Sequence, residues 1–324
     1  MPRYTRNTVI LAKTEVTYGV DPTPTGAANA MLTSKPQIMP MQAQFIDRDV
    51  IRGFLGGSEQ LAGAMFADIS FDVELAGSGT AGTAPPYGPL LLACGLAETV
   101  SASVRVDYTP VSSAFSSAAF YWYDDGLLHK VLGARGTATF KKTSGGIPVI
   151  SFNFKGLYAA PTAAANATPT LTGFQQPLAV QEANTSDLTI GGTHNSASTA
   201  TPSITGGTAL PSYGLEVALN NTVEHMPMLG GETIELTQRA ITCNYKADLT
   251  AAQEVLFLAA IASGTLATLG IVHGTAAGNK SLLWLPQHQR INPRKDEQSG
   301  RRLVAVDGRG VYSTGNDDFR LTYF

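Results

Sequence analysis

Asp68-Ile69-Ser70-Phe71-Asp72-Val73-Glu74-Leu75 alternates polar and apolar side chains without a break. Successive side chains on a strand point to opposite faces, so this stretch describes a strand with one wet face and one packed face. The pattern recurs where Ile150, Phe152 and Phe154 alternate with Ser151, Asn153 and Lys155, and where Ile241, Cys243, Tyr245 and Ala247 alternate with Thr242, Asn244 and Lys246. It returns at the terminus, with Phe319, Leu321 and Tyr323 against Arg320 and Thr322. Turn chemistry separates the runs: Gly77-Ser78-Gly79-Thr80-Ala81-Gly82, Asp125-Gly126 and Ser144-Gly145-Gly146. The expected fold class is mainly β.

Working outward, Pro89 opens a short apolar helix from Leu90 to Ala97. Strands are expected at 103–108, 119–123, 127–131, 136–141 and 148–158. Residues 159–173, rich in Ala, Thr and Pro, read as a low-complexity linker. The second half reuses the plan. A strand at 215–219 is followed by Val223 to Gly231, which leads into another strand as Ile46 to Gly57 did. After the 241–247 strand, Thr250 caps a short helix running to about Ala262. Strands follow at 265–272, 281–285, 302–306 and 318–324, with a charged loop over 292–301. Nothing in 174–212 places its pieces. The division expected is an extended arm (1–30, broken by Pro22 and Pro24), a first β domain (31–158), the linker (159–173) and a second β domain (174–324).

The totals exclude several classes. Of 324 residues only 15% are charged, against roughly 25% in ordinary soluble domains. A net charge of −3 argues against a protein that grips DNA electrostatically. The Gly77–Gly82 run lacks the Lys and helix of a phosphate cradle. The five His are scattered, so no metal site is expected, and Cys94 and Cys243 read as buried free thiols. No elbow-and-triad arrangement or carboxylate pair at working distance supports catalysis, so no enzyme and no cofactor is expected. The N-terminal apolar stretch is too short for a signal peptide and no run would span a membrane, which implies folding in the cytoplasm.

One stretch after another resembles the major tail proteins of long, flexible-tailed bacteriophages. The matching pieces are Lys13-Thr14-Glu15-Val16-Thr17-Tyr18-Gly19-Val20-Asp21-Pro22-Thr23, the Asp47-Arg48-Asp49 loop ending in Leu55-Gly56, and Phe71 to Gly79 with Gly88-Pro89-Leu90-Leu91 and Cys94-Gly95-Leu96. The hairpin from Leu132-Gly133-Ala134-Arg135-Gly136 to Phe154-Lys155-Gly156-Leu157-Tyr158 completes the set. The likeness covers residues 8–158 closely and the second half by pattern.

That resemblance implies two tandem β-sandwich or barrel-like tail-tube domains, each with one short helix. It implies self-assembly into stacked rings that form the hollow tail tube of a virion and conduct DNA during ejection. Two domains per chain imply trimers with pseudo-sixfold symmetry; plain hexamers with a decorating second domain are the runner-up. A virion surface decoration or receptor-binding protein with Ig-like β-sandwich domains is the alternative, and a glycan-acting β-sandwich enzyme comes behind it. Implied partners are further copies of the chain, tape measure, tail terminator and distal tail proteins, and double-stranded DNA in passage; assembly takes place in the host bacterial cytoplasm. Lumen-facing positions are expected at Asp68, Ser70, Asp72, Glu74, Ser151, Asn153, Lys155, Thr242, Asn244, Lys246, Arg320 and Thr322. Contacts between rings or subunits are expected at Tyr18, Asp21, Phe45, Asp47, Arg48, Asp49, Arg52, Phe54 and Leu55.

Overall fold

A computed structural model describes residues 2–324. The chain is mainly β, with open sheets and three α-helices among the described residues, Gly26–Asn29, Gly88–Ala93 and Ala251–Ala262. The stretch that decides the fold lies in the strand Gln60–Glu74, where Ile69, Phe71 and Val73 are buried and Asp68, Ser70, Asp72 and Glu74 alternate with them at the surface. The Phe71 ring lies 6.1 Å from Phe120, 5.9 Å from Phe152 and 6.0 Å from Phe154. Such aromatic pairs add about 0.5–1.5 kcal/mol each beyond the area they bury.

Two strands run further than expected. Residues 127–131 and 136–141 belong to a single strand, Leu127–Thr143. The charged residues 292–298, expected as a loop, continue the strand Ser281–Gln298. Both corrections have the same cause. A register shift falls between Leu132 and Arg135 in one strand and between Ile291 and Arg294 in the other. At the shifts, Gly133 (φ 58°) and Asn292 (φ 49°) occupy left-handed conformations. One extra residue interrupts the period-two pattern, so a continuous strand reads as two pieces or as strand then loop.

Eight strands form one antiparallel layer. Their order is Ser34–Asp47, Gln60–Glu74, Val149–Tyr158, Leu127–Thr143, Ser212–Ala218, Thr242–Ala247, Arg301–Gly310 and Ser281–Gln298. The beginnings of the two long strands leave this layer. Leu127–Thr143 starts beside Ala118–Asp124, which pairs with Thr8–Thr14. Ser281–Gln298 starts beside Arg320–Tyr323, which pairs with Arg105–Pro110. A single core joins both halves: Phe140 stacks on Phe319 at 5.0 Å, and the Tyr87 hydroxyl lies 2.7 Å from that of Tyr323.

Residues 2–30 are extended except for the short helical turns Thr5–Asn7 and Gly26–Asn29, and they are sewn into the chain's own sheet, with Ile10, Leu11 and Ala12 buried. In the 159–173 segment, Thr162–Ala163 pairs with Leu127 and Leu128, and the Thr170 N–H donates to Gly26 O at 2.9 Å. Residues 174–212 contribute strands of only two or three residues, such as Leu188–Ile190 between Ala267–His273 and Thr208–Leu210. Elements that short carry no readable period. Buried Arg105, ion-paired to Asp107 at 2.9 Å, donates to Asn195 O at 3.0 Å and fixes the loop there.

The helix expected at 90–97 occupies Gly88–Ala93, and the one expected after Thr250 occupies Ala251–Ala262. Thr250 accepts from the Gln253 N–H while the Gln253 side chain bonds back to the cap, a reciprocal capping box.

Candidate functional site

Residues directly opposite each other on neighbouring strands project to the same face. Following the register across the eight-strand layer therefore traces its polar face from one half of the chain to the other. One row runs Asp72, Ser151, Thr139, Ala218, Thr242, Arg309. The next runs Glu74, Val149, Lys141, Glu216, Asn244, Asp307. Ser70, Asn153 and Thr137 form a third, and Asp68 stands opposite Lys155. Ten of the twelve expected channel positions thus share one surface: Asp68, Ser70, Asp72, Glu74, Ser151, Asn153, Lys155, Thr242, Asn244 and Lys246.

Arg320 and Thr322 are not brought there. Their strand, Arg320–Tyr323, pairs with Ser281–Trp284 and with Arg105–Pro110, away from the polar face. Thr322 is fully buried and its hydroxyl donates to Asp107 Oδ1 at 2.5 Å. Alternation at the terminus reported one packed face correctly but could not say which layer the strand joins. The register adds Thr137, Thr139, Lys141, Glu216, Asp307 and Arg309, which sequence reasoning missed because each needs its neighbours to reveal its face.

Charge on this face is mixed and locally compensated. Burial raises the Asp68 carboxyl above its ordinary value, opposed by Lys155 and by a hydrogen bond from Gln42. Burial pushes Asp72 the same way, yet bonds from Ser151 and Lys35 carry it below the usual carboxylate range. A bond from Arg294 lowers Asp307, and the two groups are 2.6 Å apart. Lys246 pairs with Asp296 at 2.5 Å, and Lys155 sits 4.6 Å over the Phe66 ring. A cleft of about 400 Å³ opens along the face, lined by Gln37, Met39, Asp68, Ser70, Asn153 and Val223 among others.

The expected contact residues separate into two groups. Tyr18 and Asp21 are engaged within the chain: the Tyr18 hydroxyl accepts from the Ile234 N–H at 2.6 Å, and Asp21 accepts from Tyr121 and pairs with Lys130 at 2.9 Å. Phe45 and Asp47 close the strand Ser34–Asp47, and Arg48, Asp49, Arg52, Phe54 and Leu55 follow in an exposed connection to Gln60. There Arg48 and Arg52 both pair with Glu59, the latter at 2.8 Å.

The two cysteines are free and buried, and burial pushes both thiols up, Cys243 to about 12. No helix among the described residues is long and apolar enough to cross a membrane.

The fold is an open-edged, mainly β one with an extended polar face. The chain belongs to the phage tail tube protein family, whose family model matches residues 5–318. Membership gives it a structural role in the tail of a virion. No curated protein matches the chain in sequence.

Proposed function

We propose that three copies of this chain close into a ring, that rings stack into the tail tube, and that the polar face lines the bore through which DNA passes. The observation that carries this reading is the repeated order of the eight-strand layer. The first four strands follow the chain order first, second, fourth, third, and so do the last four: Ser212–Ala218, Thr242–Ala247, Arg301–Gly310, Ser281–Gln298. This supports two tandem tube domains meeting where Leu127–Thr143 pairs with Ser212–Ala218, Gly214 opposite Thr143 through Ala218 opposite Thr139.

The same joint fits between copies. Within the layer, Ser34–Asp47 pairs on one side only, and so does the Ile291–Gln298 part of the last strand. Neighbours alternate in direction, so in an even-numbered layer the two edges run oppositely. Rotation about a ring axis preserves strand direction, and the last strand of one copy therefore meets the first of the next as another antiparallel pair. Unpaired edges recruit chains until closure removes them. The ring is heterologous and closed.

A bore lined by Asp68, Asp72, Glu74 and Glu216 interleaved with Lys141, Lys155, Lys246 and Arg309 has no large field of either sign. DNA would neither stall on it nor be strongly repelled. Further copies of the chain, a tape measure, a tail terminator and distal tail proteins are the partners this role calls for, with assembly in the host cytoplasm. Averaged electron micrographs of the assembled tail decide the stoichiometry. Three chains per ring, each filling two of six similar lobes, is the expected result; six chains per ring, or no chain density around the bore, refutes the reading.

A further inference from the structure

The helix Ala251–Ala262 is apolar on nearly every side, yet only Phe257 is buried, while Val255 and Leu256 are 68% and 72% exposed. Its counterpart in the first half, Gly88–Ala93, has Leu90, Leu91 and Ala93 fully buried. The difference lies partly in what the chain itself supplies. Beside the first helix, the hairpin Asn221–Met228/Gly231–Arg239 of the second half crosses the joint between halves and docks. Asn221 Nδ2 donates to Cys94 O at 2.7 Å and to Gly136 O at 2.9 Å, and Leu236 lines the same pocket as Gly95 and Phe115. Arg135, at the bulge of the long strand, donates to Ile234 O at 2.8 Å and pairs with Glu235 at 2.6 Å.

Beside the second helix the strand features recur, with Arg294 engaged by Asp307 of its own layer and not by a docked hairpin. The Ser281–Gln298 strand carries the matching bulge, which places Arg294 where Arg135 stands in the first half. The helix is fastened to that edge strand by the Lys295–Glu254 ion pair and by Arg290, 4.7 Å over the Phe257 ring. The hairpin corresponding to the docked one rises from the opposite edge of the same layer. It presents Ile46 and Leu61, paired in register and 57% and 54% exposed, and its tip Phe54-Leu55-Gly56-Gly57 matches the other hairpin's Met228-Leu229-Gly230-Gly231.

We propose that the exposed face of Ala251–Ala262 is the docking site for the Ser34–Asp47/Gln60 hairpin of a second copy, repeating between chains the hairpin contact already made within one. This rests on the ring reading above and names the contact that would hold its joints. The helix is uncovered because its cover belongs to the next copy. Edge pairing brings that hairpin to it, since hairpin and helix are attached to the two strands that meet. Exposed apolar surface on both sides supplies the drive.

The test uses the full chain with single cysteines introduced, Leu256→Cys in one preparation and Ile46→Cys in another, mixed under mild oxidation. The native Cys94 and Cys243 are buried and stay silent. The expected result is a disulfide-linked pair formed only in the mixture and only under assembling conditions. In parallel, Leu256→Asp is expected to raise the concentration needed for ring formation at least about tenfold, with an unchanged unfolding midpoint for the single chain. Rings that form normally from Leu256→Asp, or that never cross-link at these positions, overturn the docking site and leave the ring standing. Failure of the unaltered chain to form rings at all overturns both.

Discussion

Replacing Lys142 by Met should stabilise the chain at neutral pH and lose that advantage in alkali. Lys142 is fully buried, and its ammonium donates to Ser281 O at 2.8 Å. It reaches from the polar-faced layer into the core, with no carboxylate among the described residues paired to it. Burial pulls its pKa from 10.5 down to about 7. A gap of that size, at about 1.36 kcal/mol per pH unit, corresponds to roughly 5 kcal/mol of folding free energy lost at and below pH 7. Between about 7 and 10.5 the unfolded chain binds the proton and the folded chain does not, so this loss is relieved as pH rises through that window. Met matches the length of the side chain and carries no charge. Against the gain stands the Ser281 carbonyl, left without the lysine donor at a cost of about 1–3 kcal/mol. Lys142→Met should therefore be about 2–4 kcal/mol more stable at pH 7 and about 1–3 kcal/mol less stable above pH 10.5. Urea unfolding of both chains at pH 7, 8, 9 and 10, below the concentration of assembly, measures the difference at each point. A stability difference that stays constant from pH 7 to 10 would refute the argument, because it would mean the lysine titrates alike in both states.

Three further outcomes follow from the same geometry. His273 and His288 are buried and held neutral, each with its pKa lowered to about 4 mainly by burial; the folded chain then binds fewer protons than the unfolded one between about 4 and 6.5, and stability should fall on acidification through that range by on the order of 3 kcal/mol per histidine, as pH-dependent urea midpoints would record. Arg135→Leu strands the Ile234 carbonyl and half-exposed Glu235 and removes the guanidinium 4.9 Å over Tyr18, so it should cost about 2–3 kcal/mol and raise hydrogen exchange first in the Asn221–Arg239 hairpin. Gly214→Ala forces a side chain at φ 106° with its Cβ 1.8 Å from Lys142 O, in the ladder that joins the halves; a loss of about 3 kcal/mol or more is expected by chemical denaturation, and an unchanged midpoint would show that this joint yields freely.

The class of fold was legible because period-two alternation is a local property. Asp68 to Leu75 announces its two faces whatever it packs against, and Thr250 with Gln253 announces a helix start through bonds made within four residues. Low charge and scattered His likewise follow from composition alone. Sequence could not report anything that depends on which strand lies beside which. Arg320 and Thr322 alternate as well as Ser70 and Asp72 do, yet they occupy another layer, because strand pairing and not pattern assigns the layer. Lys141 and Glu216 lie too far apart in the chain to be matched by any local rule, and the register sets them face to face. Bulges at Gly133 and Asn292 hid two long strands, since a single inserted residue shifts the pattern while the hydrogen-bonded ladder carries on past it. Residue order therefore determined a β chain with wet and dry faces. Tertiary structure alone decided that those faces join into one surface with two open edges, because a face is a property of one strand and a sheet is a property of many.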